Sequence, residues 1–352
     1  MTAGSTDLAR TGGLPQGHST GDKIRSIVRD GTPPNTARAY RSDVRYFFVW
    51  AKFAGHLPEE AYPVPVEVVM AFIADHLEGL DAEVEEKMRA TTFKATPGPH
   101  AISTIERRVA ALSAYHKMRG LASPLSNPAV SQLMSKARKA AARRGYRPEK
   151  KVAAVREVVE AMCSTCGDDL GGVRDKALIL FAWASGGRRR SEVAQASMDR
   201  LSRSGAEFTY ALGIRKGDQE GADKVVAIAG RAAVALRTWL ERSGIEEGPI
   251  FRPVDRNGNL IARNSADAGA GICDRTVARV VKARAKLAGL DPSIFSGHSL
   301  RSGFLTESGL RGKNLMEAMY MSDHKTVQTA AGYFQAGSAL RNGNARMLDE
   351  ED

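Results

Sequence analysis

The sequence predicts a mainly α-helical protein with one small antiparallel β-sheet, an α+β fold in two domains. Apolar residues recur at helical spacing through most of the chain from Pro34 onward. Strict alternation of apolar and polar residues, the pattern of a half-buried strand, is concentrated near Phe208. The length of 352 residues exceeds one ordinary domain and is enough for two, each with its own core.

The amino-terminal half is predicted to be helical. A first helix begins near Pro34, and two more run from about Pro65 to Leu80 and from about Ser103 to Met118. The apolar face of the first helix consists of Ala37, Tyr40, Val44, Phe47, Phe48 and Ala51. Basic residues stand beside the apolar stripes of the first and third helices; they are Arg38, Arg41, Arg45, Arg107 and Arg108. A solvated charged face is the plain alternative to a binding surface here.

A strongly basic segment follows and is interpreted as an interdomain linker over residues 136–152. Its one acidic residue is Glu149. Its basic residues are Lys136, Arg138, Lys139, Arg143, Arg144, Arg147, Lys150 and Lys151. Basic helical faces that lead into such a segment favour a domain that grips phosphates.

The second domain is predicted to begin at residue 153, where helices start to alternate with one sheet region. Residues 208–214 form a predicted strand, and Val225 to Ile228 form its partner across a glycine-containing connection. This hairpin presents Arg215 and Lys216 near its turn. The sheet is therefore expected to carry basic residues at one end.

Other elements surround this hairpin. The longest apolar run of the chain, Ala177 to Ala184, predicts a buried helix. Pro249 to Phe251 is a candidate for a further strand, and a helix is predicted over most of Cys273 to Leu287.

The charge balance indicates a polyanionic partner. There are 51 Lys and Arg residues against 40 Asp and Glu, a net charge of +11, which favours nucleic acid over a membrane surface. The longest apolar run is less than half of the roughly 18–20 residues that a spanning helix needs. The tail at residues 1–32, rich in Gly, Ser and Thr, is expected to be disordered and holds no apolar secretory signal. We therefore expect a soluble intracellular protein.

The cysteine content argues against a disulfide framework, because only Cys163, Cys166 and Cys273 occur. The first two form a C-x-x-C motif, which is half of a zinc site. No second Cys or His pair stands at a matching spacing. A zinc-containing nucleic-acid binder is thus a weak alternative, and we expect neither a metal nor another cofactor.

Four segments of the second half hold basic or nucleophilic residues in contexts that ordinary surface placement explains poorly. They are the Gly-Arg-Arg-Arg-Ser-Glu segment at 187–192, Lys216 on the hairpin, the His-x-x-Arg pair at 298–301, and His324 with Tyr333 nine positions later. A lone His or Tyr more often packs or faces solvent than catalyses. The combined order of these residues is harder to attribute to packing.

That order resembles the tyrosine recombinase or phage integrase family, and within it the Cre-like branch, over roughly residues 34–348. The resemblance implies a helical, SAM-like core-binding domain at 33–135, the basic linker at 136–152, and a catalytic domain at 153–352 that ends in an exchanged helix. It also implies that the two domains form a C-shaped clamp on DNA.

The resemblance assigns seven catalytic residues. They are Tyr333, Arg189, Lys216, His298, Arg301, His324 and Glu192. Arg189 is chosen over Arg188 and Arg190 because the Arg-x-Ser-Glu pattern places the family arginine three positions before Glu192; its two neighbours stand where the family more often has apolar residues. Lys224 competes with Lys216 for the lysine position.

Each residue has an expected chemical role. Arg189 and Arg301 donate planar forks of hydrogen bonds to the nonbridging oxygens of a phosphodiester, which stabilises the transition state without a metal. Tyr333 attacks phosphorus while His298 accepts its proton. Lys216 protonates the leaving oxygen, His324 donates a further hydrogen bond to the phosphate, and Glu192 holds a neighbouring basic group.

The family implies a 3′-phosphotyrosyl product, a free 5′-hydroxyl and no need for ATP. It further implies double-stranded DNA with inverted-repeat sites, a homotetramer on two sites, and a monomer or weak oligomer without DNA. A carboxy-terminal helix bearing Leu340, Met347 and Leu348 is expected to be exchanged between neighbours. Localisation is expected to be cytoplasmic and nucleoid-associated, in a prokaryotic or phage context, with no membrane partner.

Many basic residues are predicted to contact DNA. They are Arg38, Arg41, Arg45, Arg107, Arg108, Lys136, Arg138, Lys139, Arg143, Arg144, Arg147, Arg275, Arg279 and Lys282. Two alternatives stay open at this stage: a type IB topoisomerase-like nicking enzyme, which differs in product topology, and a catalytically silent, sequence-specific DNA-binding protein.

Overall fold

The computed structural model describes residues 31–91, 93, 97–146, 151–213, 224–261 and 270–338, together with Lys23 and Ser26. The chain divides into two compact units, Met1–Pro148 and Glu149–Asp352. Within the described residues, no helix combines the length and apolar character needed to cross a membrane. Nearly all of the predicted tail, and the predicted exchange residues Leu340, Met347 and Leu348, lie outside the described residues.

The described part of the first unit is helical. Its helices are α1 (Pro34–Phe53), α2 (Val66–Glu78), α3 (Ala82–Ala90), α4 (Ile102–Met118) and α5 (Pro128–Arg143), with a 3₁₀ turn at Pro124–Ser126. Proline opens α1 and α5, where its missing N–H costs nothing. The side chains of Asp81 and Asn127 accept backbone N–H groups at the starts of α3 and α5. The three helices predicted in this half are confirmed.

The core of this unit is aromatic and contains a buried polar network. Tyr46 is buried, and its hydroxyl lies 2.9 Å from Nε2 of His76 and 3.0 Å from Nε2 of His100. The Arg108 guanidinium carbon lies 3.3 Å from the centre of the Tyr46 ring, and its Nη1 lies 3.3 Å from His100 Nε2. These contacts pair the Tyr46 hydroxyl with the imidazoles of His76 and His100, polar groups that would be costly to bury alone.

The segment interpreted as a linker at 136–152 is helical through Arg143. Val130, Met134, Ala137 and Ala141 are buried at helical spacing, so α5 belongs to the first unit. Alanines interleaved with the basic residues supply the buried face, while the long charged side chains point outward. The boundary between the units falls between Pro148 and Glu149 instead.

The second unit combines eight described helices with three strands. The helices are α6 (Arg156–Ser164), α7 (Leu170–Ala184), α8 (Arg190–Ala194), α9 (Gly230–Ser243), α10 (Asp274–Leu287), α11 (Gly297–Leu310), α12 (Leu315–Ser322) and α13 (Val327–Ser338), with a 3₁₀ turn at Met198–Arg200. The strands are β1 (Leu201–Ser204), β2 (Glu207–Ala211) and β3 (Val225–Ile228). The mainly α-helical fold class with a small antiparallel sheet is thereby confirmed.

The sheet is antiparallel in the order β1-β2-β3. Phe208 pairs with Ile228 and Tyr210 pairs with Val226, and all four side chains are buried. This confirms the predicted hairpin. The additional strand β1 carries mostly exposed polar residues and therefore lacks the alternation that would have revealed it. Pro249 forms a single bridge with Ser197 in place of the candidate strand at 249–251.

Helix α11 packs closely against two neighbours through glycines. A Cβ atom on Gly303 would overlap the carbonyl of Ala154, and one on Gly309 would overlap the carbonyl of Phe334 in α13. The Ala154 backbone N–H also donates to the carbonyl of Ser299 at 2.8 Å. The absence of a side chain at Gly309 thus lets α13 lie directly against this helix.

Candidate active site

The turn between α7 and α8 approaches α11 through two consecutive glycines. Gly186 and Gly187 have φ values of 96° and 70°, a backbone region that favours glycine. A Cβ on Gly187 would overlap Cα of Arg301, and one on Gly186 would overlap the carbonyl of Met321. The turn therefore carries the following arginines to the place where α11 and α12 meet.

Arg189 is held by Glu192 at the start of α8. Nη1 of Arg189 donates to Oε1 of Glu192 at 2.5 Å, and its backbone N–H donates to Oε2 at 3.1 Å. A second carboxylate, Asp323, places Oδ2 3.8 Å from the same Nη1. The Arg189 side chain is 33% exposed, so its guanidinium can also reach an incoming phosphate.

Arg188 is buried, with 2% of its surface exposed. It donates a hydrogen bond to the carbonyl of Met321 at the end of α12, and its Nη1 lies 3.7 Å from Glu192. Arg190 is exposed, and its side chain lies against Gly297 at the start of α11. The three adjacent arginines therefore have three different surroundings, and Arg189 is the partly exposed one beside the site.

Arg301 on α11 is buried at 4% exposure and lies at the centre of the cluster. Its Nη1 donates to the Gly187 carbonyl at 3.1 Å, and its Nη2 lies 3.3 Å from both the Asp323 carbonyl and Nδ1 of His324. Burial, followed by the charges of Arg189 and Arg188, lowers the pKa of Arg301 to about 10. The guanidinium is thus still charged at neutral pH.

His324 is neutral at physiological pH. Burial and the neighbouring charges of Arg301 and Arg189 lower its pKa to about 4. Its Nδ1 lies 2.8 Å from the Ser322 hydroxyl and 3.3 Å from Nη2 of Arg301. Because a guanidinium only donates, Nδ1 must accept, which places the ring hydrogen on Nε2. His324 can therefore donate from Nε2 to an anion.

Tyr333 and His298 form a hydrogen-bonded pair across α11 and α13. The Tyr333 hydroxyl lies 3.3 Å from Nε2 of His298, and the Thr306 hydroxyl donates to the Tyr333 carbonyl at 3.2 Å. Desolvation and the charges of Arg301 and Arg189 lower the pKa of His298, although one edge of the residue faces solvent. A neutral imidazole at this distance can accept the tyrosine proton.

Asp323 is a site residue that sequence reasoning did not assign. Among the described residues it is the one residue other than glycine with positive φ, at 58°. Its Oδ1 lies 3.6 Å from Nζ of Lys224, which stands immediately before β3. The available signal was the Ser322-Asp323 pair, because an apolar residue and glycine are commoner in the family before the histidine.

Lys216, the lysine that the resemblance assigns, lies outside the described residues, whereas its competitor Lys224 is described and lies beside the cluster. The structure thus brings together Arg189, Glu192, His298, Arg301, His324 and Tyr333.

The predicted DNA contacts lie on both units, and most are exposed. Exposed in the first unit are Arg38, Arg41, Arg45, Arg107, Lys136, Arg138, Lys139, Arg143 and Arg144. Exposed on one face of α10 are Arg275, Arg279 and Lys282. Arg147 lies outside the described residues. Arg108 is a correction: it is buried against the Tyr46 ring, which argues against a phosphate contact.

The C-x-x-C motif shows no sign of binding a metal. Burial raises the pKa of Cys163 to about 12 and that of Cys166 to about 11, which disfavours the thiolates that zinc requires. Among the residues that the structure describes, no group of three or more His, Cys, Asp or Glu side chains is arranged to hold a metal ion. The zinc alternative therefore gains no support.

Comparison with known proteins places the chain among DNA recombinases. A model of the phage integrase family matches residues 155–339. The integrase/recombinase XerD homologue of Selenomonas ruminantium is 30% identical over 337 residues, 93% of this chain and 89% of that protein. The recombinase Cre of Escherichia phage P1 is 24% identical over 264 residues, 72% of this chain and 76% of that protein.

A solved structure shares the fold. The Tn1549 transposon integrase in complex with transposon right end DNA aligns with a TM-score of 0.55 and 14% sequence identity, covering 92% of this chain and 98% of that one. The likeness extends through both units of the chain.

Proposed function

Because this chain belongs to the phage integrase family and is a tyrosine-type site-specific recombinase, we propose that it cleaves and rejoins DNA through a 3′-phosphotyrosyl intermediate. The observation that carries the proposal is the pairing of Tyr333 with His298 beside the Arg189, Arg301 and His324 cluster. A nucleophile with an adjacent base, next to fixed donors for an anion, is what phosphodiester attack requires.

In the cleavage step the Tyr333 oxygen attacks phosphorus as His298 Nε2 takes its proton. Charge grows on the nonbridging oxygens, which accept hydrogen bonds from the guanidinium groups of Arg189 and Arg301 and from Nε2 of His324. The bond from phosphorus to the 5′-oxygen breaks, and a lysine gives that oxygen a proton. Lys216 and Lys224 are the two candidates for this general acid.

Rejoining is the reverse reaction with a different strand. A 5′-hydroxyl attacks the phosphotyrosine, the lysine recovers a proton, and His298 returns a proton to the Tyr333 oxygen. The phosphodiester bond energy is retained in the covalent intermediate, so the reaction needs no ATP. The guanidinium groups of Arg189 and Arg301 supply the positive charge at the phosphate that a metal would otherwise provide.

The proposed substrate is double-stranded DNA with inverted-repeat sites. The net charge of +11 and the exposed basic faces of α1, α5 and α10 support phosphate binding by both units. The proposed catalytic set consists of Arg189, His298, Arg301, His324 and Tyr333, with Glu192 in support of Arg189 and with either Lys216 or Lys224 as the general acid.

The proposed active form is a homotetramer on two DNA sites. A cavity of about 1120 Å³ in the second unit supports the exchange of a helix between neighbours. Its lining is largely apolar and includes Val159, Leu180, Phe304 and Met321. The apolar residues at 340, 347 and 348 of a neighbouring copy are the proposed occupant.

The proposed function is tested with DNA duplexes that are first selected for binding from a random pool and then nicked beside each candidate position. Wild type is expected to form a covalent adduct on the 3′ side of the break on a denaturing gel. Tyr333→Phe is expected to form none, while Tyr115→Phe behaves as wild type. Binding of a selected DNA sequence without any adduct would instead establish a catalytically silent DNA-binding protein. Relaxation of supercoiled DNA without joining of two sites would establish a topoisomerase-like enzyme.

A further inference from the structure

Lys224 is a largely buried cation at the edge of the catalytic cluster. Its side chain is 13% exposed, its Nζ lies 3.6 Å from Oδ1 of Asp323, and it sits 4.3 Å from the centre of the Tyr320 ring. Burying an ammonium group is costly unless an anion compensates it, and an aromatic face adds a smaller attraction. Asp323 and Tyr320 therefore hold Lys224 at the site rather than in solvent.

Asp323 joins Lys224 to the residues that would bind the phosphate. Its Oδ2 lies 3.8 Å from Nη1 of Arg189, and its backbone carbonyl lies 3.3 Å from Nη2 of Arg301. It directly precedes His324 in the chain. Asp323 thus contacts Lys224 and Arg189 through its two carboxylate oxygens and Arg301 through its backbone carbonyl.

The backbone of Asp323 restricts where the carboxylate can lie. Its φ of 58° and ψ of 45° place it in the left-handed region at the end of α12. Aspartate and asparagine tolerate this region better than most residues, because their short side chains can hydrogen-bond locally. The position of the carboxylate is therefore set by the same turn that sets His324.

We infer that Asp323 is a positioning residue that holds Lys224 at the leaving 5′-oxygen, so that Lys224 and not Lys216 is the lysine that gives this oxygen its proton; the inference rests on the proposed function. During cleavage an N–H bond of the Lys224 ammonium breaks as the bond between phosphorus and the 5′-oxygen breaks, and the proton passes to that oxygen. The neutral amine takes a proton back from the 5′-hydroxyl that attacks during rejoining. Protons and bonds balance over the two steps without any co-reactant.

Asp323 also directs Lys224 and Arg189 to different oxygens of the phosphate. The guanidinium of Arg189 can turn from Asp323 to a nonbridging oxygen when DNA enters. The carboxylate repels those same oxygens and so leaves the ammonium group for the bridging 5′-oxygen. On this inference Lys216 does not supply the proton.

The test compares two DNA substrates in single-turnover cleavage. One has the natural 5′-oxygen as the leaving atom, and the other has sulfur there, which leaves as a thiolate without a proton because an ordinary thiol has a pKa of about 8.5. Lys224→Ala is expected to slow cleavage of the oxygen substrate by about 10²- to 10⁴-fold, the usual contribution of general acid catalysis, and to cleave the sulfur substrate at nearly the wild-type rate. Lys216→Ala is expected to keep the wild-type ratio between the rates on the two substrates, because this lysine does not supply the leaving-group proton.

Asp323→Asn and Asp323→Gly both keep a residue suited to the left-handed turn. They are expected to slow the oxygen substrate by about 10- to 100-fold, the loss typical when a carboxylate that orients a metal ligand is removed, applied here to a carboxylate that orients a lysine. The sulfur substrate is expected to restore their rate, and DNA affinity is expected to stay at the wild-type level. Lys87→Ala and Asp291→Asn, which change exposed residues elsewhere, serve as matched controls.

Three outcomes overturn the inference. If sulfur rescues Lys216→Ala and not Lys224→Ala, Lys216 is the general acid. If Lys224→Ala slows both substrates equally, the role of Lys224 is structural. If the Asp323 variants slow both substrates equally, Asp323 does not position Lys224. If wild type forms no adduct on either substrate, the proposed function itself fails, which is a distinct result.

Discussion

The hydroxyl of Tyr333 on α13 lies 3.3 Å from Nε2 of His298 on α11. The two helices meet because Gly309 leaves room for the backbone of α13, and because Thr306 donates to the Tyr333 carbonyl. The nucleophile is thus oriented by backbone contacts of its helix. Its proposed base lies on the same helix as Arg301, whose charge helps to lower the pKa of His298.

The pH dependence of cleavage should report His298. Its pKa lies below the ordinary histidine value of about 6.5, so the imidazole is neutral and able to accept a proton at neutral pH. Cleavage is expected to be constant near neutrality and to fall as the pH drops through this lowered pKa. Single-turnover rates between pH 4.5 and 8 would measure it. His298→Gln is expected to be about 10²- to 10⁴-fold slower and to lose this acid limb; an unchanged limb in the variant would assign it to another group.

Gly187 and Gly205 form a matched pair for testing the turn before α8. Both have positive φ, but a Cβ on Gly187 would overlap Arg301 whereas one on Gly205 meets open space. Gly205→Ala is expected to cost about 1–2 kcal/mol in the free energy of unfolding from backbone strain alone. Gly187→Ala is expected to cost about 1–3 kcal/mol more because of overpacking, and to abolish cleavage. Urea unfolding measures both, and equal costs would contradict the close approach of the turn to α11.

Arg108 is expected to stabilise the fold of the first unit, whereas Arg41 is expected to stabilise the complex with DNA. Arg108 packs on Tyr46 and lies near Asp43, so Arg108→Ala is expected to lower the free energy of unfolding of the first unit by about 2–3 kcal/mol. Arg41 is exposed on α1, and Arg41→Ala is expected to change stability by less than about 0.5 kcal/mol. In DNA binding the effects reverse, because Arg41→Ala is expected to flatten the salt dependence and Arg108→Ala is not. A flatter salt dependence for folded Arg108→Ala would restore it as a DNA contact.

The basic face of α10 should contribute to DNA affinity through charge. Each phosphate contact contributes about 0.9 to the slope of log affinity against log salt concentration. Changing Arg275, Arg279 and Lys282 together to alanine is therefore expected to reduce that slope by up to about 2.7. Binding titrations between 50 and 200 mM salt measure the slope. Arg231→Ala, which removes an exposed arginine paired with Glu160, is the control, and a triple variant with the wild-type slope would exclude this face.

Much of the local structure could be predicted because its causes are local. The repeat of Val44, Phe47 and Ala51 defines the buried face of α1, and the alternation of Phe208 and Tyr210 defines β2. The basic residues of α5 were misleading, because the alanines between them occur equally in buried helix faces and in polar segments. Composition alone therefore indicated a linker where packing makes a helix.

The sequence by itself determined the fold class, the basic character and the order of the residues proposed to act on a phosphodiester, since these depend on composition, periodicity and spacing. Only the tertiary structure decided which arginines face inward. Arg107 and Arg108 point about 100° apart on α4, and the packing of α4 against α1 decides that Arg108 lies on Tyr46 while Arg107 stays exposed. The contact between Lys224 and Asp323 likewise depends on how β3 and α12 pack, and no local pattern encodes the distance between two distant elements.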